Sequence, residues 1–153
     1  MYTLMIIDDE VNVRTLLKNC IDWKELGIKI VAEAGSANEA LDKLEKIEPP
    51  DILFVDICMP MINGIDFIEK IRKTNMDSDI LVISGMNDFY CVQKCMRLNV
   101  NDYISKPINE DYLYEKVVKI CEKREKSQCN ENLLNMLKNS EIHVKKKNKV
   151  IQE

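Results

Sequence analysis

The chain is poor in the residues that mark several common classes of protein. Its 153 residues include four glycines, four prolines, one tryptophan and one histidine, and aromatic residues make up only 6%. The apolar runs are short: Leu4-Met5-Ile6-Ile7 and Ile52-Leu53-Phe54-Val55 fall far below the roughly 20 residues needed to cross a bilayer. No membrane-spanning segment and no membrane partner are expected. Met1-Tyr2-Thr3 lacks the basic start and small-residue cleavage site of a secretory leader, and the apolar stretch behind it stops in Asp8-Asp9-Glu10. A cytoplasmic location follows, and the six cysteines (Cys20, Cys58, Cys91, Cys95, Cys121, Cys129) then read as free thiols acting as small hydrophobes. Cys91 and Cys95 stand four apart, as on one helix face. The lone histidine, His143, lies in a basic tail and no second cysteine pair has metal spacing, so structural zinc is not expected.

What is present is the composition of a soluble domain: 46% hydrophobic residues, 31% charged, net charge −4. A chain of this length buries roughly two-thirds of its unfolded surface and can hold one core without staples. Charge is unevenly divided. Residues 1–122 carry 14 basic and 22 acidic side chains, net −8, whereas 123–153 carry 8 and 4, net +4. The acidic body is a poor partner for nucleic acid. The lysine-rich end reads as a solvated tail.

Five short, β-branched apolar segments begin at Leu4, Ile28, Ile52, Ile80 and Asp102, with intervals long enough for one helix each. Continuous apolar strands of this kind are buried on both faces of a parallel sheet. The intervals read as one-sided helices: Val13, Leu16, Leu17 and Cys20 in the first, Ala37, Ala40, Leu41 and Leu44 in the second, Ile65, Ile68 and Ile71 in the third. The fourth carries Phe89, Val92, Cys95 and Met96, of which the first three suffice for the core and leave Tyr90 and Met96 as surplus apolar surface, and the fifth carries Leu113, Val117, Ile120 and Cys121. Ser36 to Glu39 forms a capping box, Asn63-Gly64 marks a turn, and Asn99 suits the left-handed end of the fourth helix. Alternating β and α units predict an α/β fold, a doubly wound five-stranded parallel sheet with helices on both faces. Periodicity fades after Cys121. The predicted organisation is therefore a domain at 1–122 and a helical extension with a charged tail at 123–153, too small and too polar to be an output domain.

In an open sheet of this kind, ligands bind at the carboxyl ends of the strands. Here those ends carry Asp8-Asp9-Glu10, Asp56, Ser84-Gly85 and Ser105-Lys106-Pro107. Asp and Ser also cap helices, but four strand ends supplying reactive side chains together point to a site. Clustered carboxylates repel one another unless a cation intervenes, and an all-oxygen set in an open crevice suits Mg²⁺. A carboxylate can also act as a nucleophile toward phosphorus, with a metal, a lysine and a hydroxyl neutralising the phosphoryl oxygens.

Ile6 to Glu10, Val55 to Gly64, Ile83-Ser84-Gly85 and Asp102 to Pro107 resemble, in order, the four signature stretches of bacterial two-component response-regulator receiver domains. The resemblance covers about residues 1–122 and implies the flavodoxin-like strand order 2-1-3-4-5. Ile21-Asp22-Trp23 and Asn87-Asp88-Phe89 further resemble receivers attached to AraC-type DNA-binding domains. Carried over by motif position, the resemblance makes Asp56 the phosphoacceptor. Asp8, Asp9, Asp56 and the Cys58 backbone carbonyl become ligands of Mg²⁺ (or Mn²⁺). It places Ser84, Gly85 and Lys106 on the phosphoryl group, makes Ser84 and Tyr103 the switch pair, and implies a cis peptide before Pro107.

The implied function is to accept a phosphoryl group from a sensor histidine kinase and to switch a surface controlling an output, transcription in the full-length protein. The implied partners are that kinase and a second copy of the chain, joined through helix four, strand five and helix five. DNA contact would fall to a domain outside this chain. A stand-alone phosphorelay receiver is the alternative. An aspartyl-phosphate phosphohydrolase would want a second aspartate where Cys58 stands, and the acids after the first strand would repel a flavin phosphate.

Overall fold

The computed structural model describes residues 1–86 and 88–152, with side chains described except at 143, 144 and 146–152. Its strands and helices alternate along the chain: β1 (Tyr2–Ile7), α1 (Val11–Asn19), β2 (Ile28–Ala34), α2 (Ala37–Leu44), β3 (Ile52–Val55), α3 (Gly64–Lys73), β4 (Asp79–Ser84), α4 (Phe89–Arg97), β5 (Asp102–Ser105) and α5 (Glu110–Gln152). The strands form one parallel sheet in the order β2-β1-β3-β4-β5, as the sequence predicts. Every residue of β3 and β4 is buried, the state that an uninterrupted apolar strand requires. β2 lies at the edge, and its pairing with β1 shifts register between Leu4 and Met5, skipping Val31. The winding reverses between β1 and β3, and both strands end in a carboxylate there.

Local signals set most element ends. Ser36 Oγ accepts from the Glu39 N–H at 3.1 Å, but the Glu39 carboxylate reaches back to Gly35 N–H and not to Ser36, so the box closes one residue early. Asn99 has φ 59°, the left-handed residue just beyond α4. Asn63, expected in a turn, caps α3 by accepting from Asp66 N–H at 2.9 Å. Trp23 is buried, donating from Nε1 to the Leu17 carbonyl at 2.9 Å, with its ring 5.8 Å from that of Phe54.

Two helix faces differ from expectation. In α4, Cys95 faces the core as the sequence predicts, but its buried companion is Cys91, while Phe89 is 78% exposed and Val92 only half-buried. Apolar residues encircle this helix, so periodicity offered two stripes and packing selected the one with the small sulfur side chains. In α1 only Leu17 is fully buried, and Leu16 lies on the outside.

The chain divides into two compact units, Met1–Lys116 and Val117–Glu153, six residues before the break in composition. In the second, Val117, Ile120 and Cys121 are buried, and from Glu122 to Ile142 every residue but Arg124 is exposed, including Leu133, Leu134, Met136 and Leu137. Among the described residues, no helix is long and apolar enough to cross a membrane.

One half-buried cation joins three segments of the first unit. Arg72, on α3, donates to the carbonyls of Leu98 (2.9 Å), Asn99 (3.1 Å), Met76 (3.2 Å) and Ser78 (2.9 Å). Burial pulls its pKa below the ordinary value. Charged hydrogen bonds contribute about 1.5–3 kcal/mol each and are not additive, so Arg72→Ala should cost about 2–4 kcal/mol in urea unfolding. Arg72→Lys should recover only part of this, because an ammonium cannot reproduce the fork.

Candidate functional site

β1 delivers Asp8 and Asp9, and β3 delivers Asp56, to the same end of the sheet at the point where the winding reverses. Asp56 N–H donates to the Ile7 carbonyl at 2.9 Å and Asp8 N–H to that of Ala34 at 3.0 Å, so sheet hydrogen bonding continues through both residues and fixes their backbones. Both are 2% exposed, whereas Asp9 is exposed. One carboxylate oxygen from each of Asp8, Asp9 and Asp56 lies within 4.8 Å of the others. Hard oxygen donors this close suit a small divalent cation such as Mg²⁺ or Mn²⁺, which would hold these carboxylates and keep several waters.

Lys106, at the end of β5, completes the cluster. Its Nζ stands 3.0 Å from Asp8 Oδ2, 3.3 Å from Asp56 Oδ2 and 3.6 Å from Glu10 Oε2. Its N–H donates to the Ser84 carbonyl at 2.9 Å, and the Lys106–Pro107 peptide is cis. Ser84 is fully buried, with its Oγ accepting from Met86 N–H at 3.2 Å and lying 3.8 Å from Cys58 Sγ. Cys58 N–H donates to Asp56 Oδ1 at 3.1 Å. A Cβ on Gly85 would meet nothing within 4 Å, so its backbone borders open space. Tyr103 is half-buried and its hydroxyl donates to the Met86 carbonyl, tying β5 to the loop that follows Ser84.

The electrostatics follow from burial. Asp56 is pushed up to about 6, first by burial and then by the Asp8 carboxylate, against the Cys58 N–H and Lys106. Asp8 is raised by burial despite the Glu10 N–H and Lys106. Burial pulls the Lys106 ammonium down, but Asp8 and Asp56 more than offset this and leave its pKa raised. The Tyr103 hydroxyl is raised by burial, partly opposed by its hydrogen bond with Ser84.

Asp56 therefore binds its proton more tightly in the folded chain than in the unfolded one. Its contribution to stability is present below about pH 4 and is lost as pH rises through about 6. Without metal at pH 7.5, Asp56→Asn should be more stable than wild type by about 1–3 kcal/mol, since a tenfold change in proton affinity corresponds to about 1.4 kcal/mol. Urea titrations should show the gap closing toward pH 4. A constant gap across that range would separate the effect from Asp56 ionisation.

The structure thus brings Asp8, Asp9, Asp56, Ser84 and Lys106, read from the sequence, to one end of the sheet. Glu10, which the sequence also places at the end of the first strand, joins the lysine cluster. Two further residues of the site are not assigned to it by the sequence. Arg14 donates to the Asp8 carbonyl at 2.6 Å and to Glu33 Oε1 at 3.1 Å, fastening the first acidic turn to the sheet edge. Gly64 supports Asp56 from behind: a Cβ there would lie 2.2 Å from the Asp56 carbonyl oxygen.

A family model described as the response regulator receiver domain matches residues 4–118. The chain is 26% identical over 146 residues to the uncharacterized transcriptional regulatory protein YesN of Bacillus subtilis, covering 95% of this chain and 36% of that protein. It thus spans little more than a third of YesN. It is 32% identical over 117 residues to the chemotaxis protein CheY of Thermotoga maritima, covering 76% of this chain and 95% of that one. Among solved structures, the REC domain of AraT, a response regulator from Geobacillus stearothermophilus, is 35% identical with a TM-score of 0.76, covering 83% of this chain and 98% of that one.

Proposed function

Because this chain belongs to the response regulator receiver family of two-component signalling, we propose that Asp56 is its phosphoacceptor and that a histidine kinase is the donor. The observation that carries this reading is a single pocket in which Asp56 Oδ2 lies 3.3 Å from the Lys106 ammonium, with Asp8 and Asp9 beside it. An Asp56 carboxylate oxygen attacks phosphorus, a P–O bond forms, and the bond from phosphorus to the donor's imidazole nitrogen breaks. Cys58 N–H and Lys106 hold the carboxylate in place for attack. Lys106 then pairs with the new phosphoryl charge, joined by the Ser84 hydroxyl and the Gly85 N–H from the open side of the pocket.

Asp8, Asp9, Asp56 and the Cys58 carbonyl would hold Mg²⁺ or Mn²⁺, which when bound supplies charge neutralisation at the phosphoryl oxygens. Movement of Ser84 toward the phosphate would release Tyr103, whose hydroxyl is tied to the loop after Ser84, and so alter the face of α4 and β5. The direct test is intact-mass analysis after treatment with a small acyl phosphate in Mg²⁺ and in chelator: one added phosphoryl group is expected with the metal and almost none without.

The domain proper is taken as 1–122, with 123–153 a helical extension and not an output domain. The cytoplasm, where a kinase donor is available, is the inferred location. Similarity to YesN supports a transcriptional output exercised outside these residues, with this acidic domain making no DNA contact of its own. Phe89, Tyr90 and Met96 are 78%, 62% and 45% exposed on α4, an apolar face suited to a second copy of the chain. A stable phosphoryl mimic should therefore convert monomer to dimer in light scattering, through helix four, strand five and helix five. An unchanged monomer overturns this.

A further inference from the structure

Beside the carboxylate pocket lies a cavity of about 450 Å³, bounded by the segment after β3, by α3 and by the start of α4. Four sulfur-bearing side chains line it, Cys58 and the buried Met59 after β3, Met86 after β4 and Cys91 on α4, and of these the Cys58 thiol, the Met86 thioether and the Cys91 thiol come from three separate segments. Cys91 Sγ is 3.7 Å from Met86 Sδ, a separation that two donors on one metal ion can hold. Cys91 Sγ also lies 4.0 Å from Asp88 Oδ2, and burial and that carboxylate raise the thiol's pKa, with Cys58 adding to the effect. Cys58 and Met86 are exposed and Cys91 is buried, so the cluster is open to solvent on one side only. The phosphoryl chemistry uses Cys58 through its backbone and leaves all three sulfurs free.

Soft thiolate and thioether donors select Cu(I), whereas the neighbouring carboxylates select hard cations. Structural zinc takes four ligands, and the cavity wall offers no third thiolate and no imidazole. We infer that Cys58, Met86 and Cys91 form a three-coordinate site for a soft monovalent metal ion, Cu(I). Two copper–sulfur bonds form as two thiol protons leave to solvent, the thioether adds the third donor without losing a proton, and copper stays at +1, so no oxidant is needed.

The site borders the switch. Ser84 Oγ lies 3.8 Å from Cys58 Sγ and accepts from Met86 N–H, so a bound ion grips the residues on both sides of that hydroxyl. Copper should then slow phosphoryl uptake. This consequence rests on the reading of Asp56 as phosphoacceptor, whereas the binding does not.

The reduced full chain, titrated anaerobically with Cu(I) against a chromogenic chelator, tests the site. One tightly held copper per chain is expected, lost in Cys58→Ser and in Cys91→Ala, weakened about tenfold or more in Met86→Leu, and unchanged in Cys129→Ser. Cys58 and Met86 are exposed, so their variants report on binding even where Cys91→Ala perturbs the core. The site is overturned if Cys58→Ser or Met86→Leu binds as tightly as wild type, or if Cys129→Ser abolishes binding. Phosphoryl uptake that is equally fast with copper bound overturns the coupling. Absence of uptake without copper overturns the Asp56 reading instead.

Discussion

Treated with a small acyl phosphate and Mg²⁺, the wild-type chain should gain one phosphoryl group and the Asp56→Asn chain none. The amide keeps the shape of the residue and can still accept from Cys58 N–H, but its oxygen is a poor nucleophile and the charge that draws Lys106 to 3.3 Å is gone. The supporting residues should separate by role. Lys106→Ala removes the ammonium that bridges the Asp8 and Asp56 carboxylates and should slow uptake by about 10²–10³-fold, the loss typical for one preorganised electrostatic donor. Ser84→Ala should slow it less, because the carboxylate nucleophile and the lysine remain. Peptide mapping must place the phosphoryl group on Asp56. Equal uptake by wild type and Asp56→Asn would sink the assignment, and a label on Asp8 or Asp9 would move the acceptor to the first strand.

The second large effect is expected at Gly64. An added Cβ would lie 2.2 Å from the Asp56 carbonyl oxygen, 2.7 Å from Ile57 Cα and 2.9 Å from the Asp56 carbonyl carbon, all backbone atoms with no side-chain freedom to yield. Relief requires the start of α3 to withdraw from the end of β3, breaking the bond from Gly64 N–H to the Ile57 carbonyl at 2.9 Å. Overpacking of this kind costs about 1–3 kcal/mol and occasionally more, and the immobile neighbours place Gly64→Ala at the upper end. Urea unfolding should show that loss. The surviving folded fraction should also take up phosphate more slowly, because the turn that aims Asp56 has shifted. Stability within about 0.5 kcal/mol of wild type, the range of ordinary surface substitutions, would show that the backbone yields there at little cost.

The two substitutions differ in how visible their targets are in the sequence. Asp56 stands out because a carboxylate directly after the buried run Ile52–Val55 has no local reason to be there. Gly64 reads only as half of an Asn-Gly turn. Its real constraint, contact with the backbone of Asp56, arises when α3 docks, which no local signal encodes. Arg14 is hidden in the same way, since on α1 it resembles any polar-face residue until the Asp8 carbonyl and Glu33 are brought to it.

The sequence by itself determined the strands, their parallel arrangement and the strand-end positions of Asp8, Asp9, Asp56, Ser84 and Lys106. Continuous β-branched runs have one favourable environment, burial between two helical layers, and polar side chains take over where each run reaches the carboxyl end of the sheet. Tertiary structure alone decided which of two apolar stripes on α4 turned inward with Cys95, burying Cys91 and exposing Phe89. It also decided that Lys106 would bridge Asp8 and Asp56, and that three sulfur atoms from separate segments would share one cavity. Periodicity states that a face exists, but the choice between faces, and every distance across the pocket, depends on packing between segments remote in sequence.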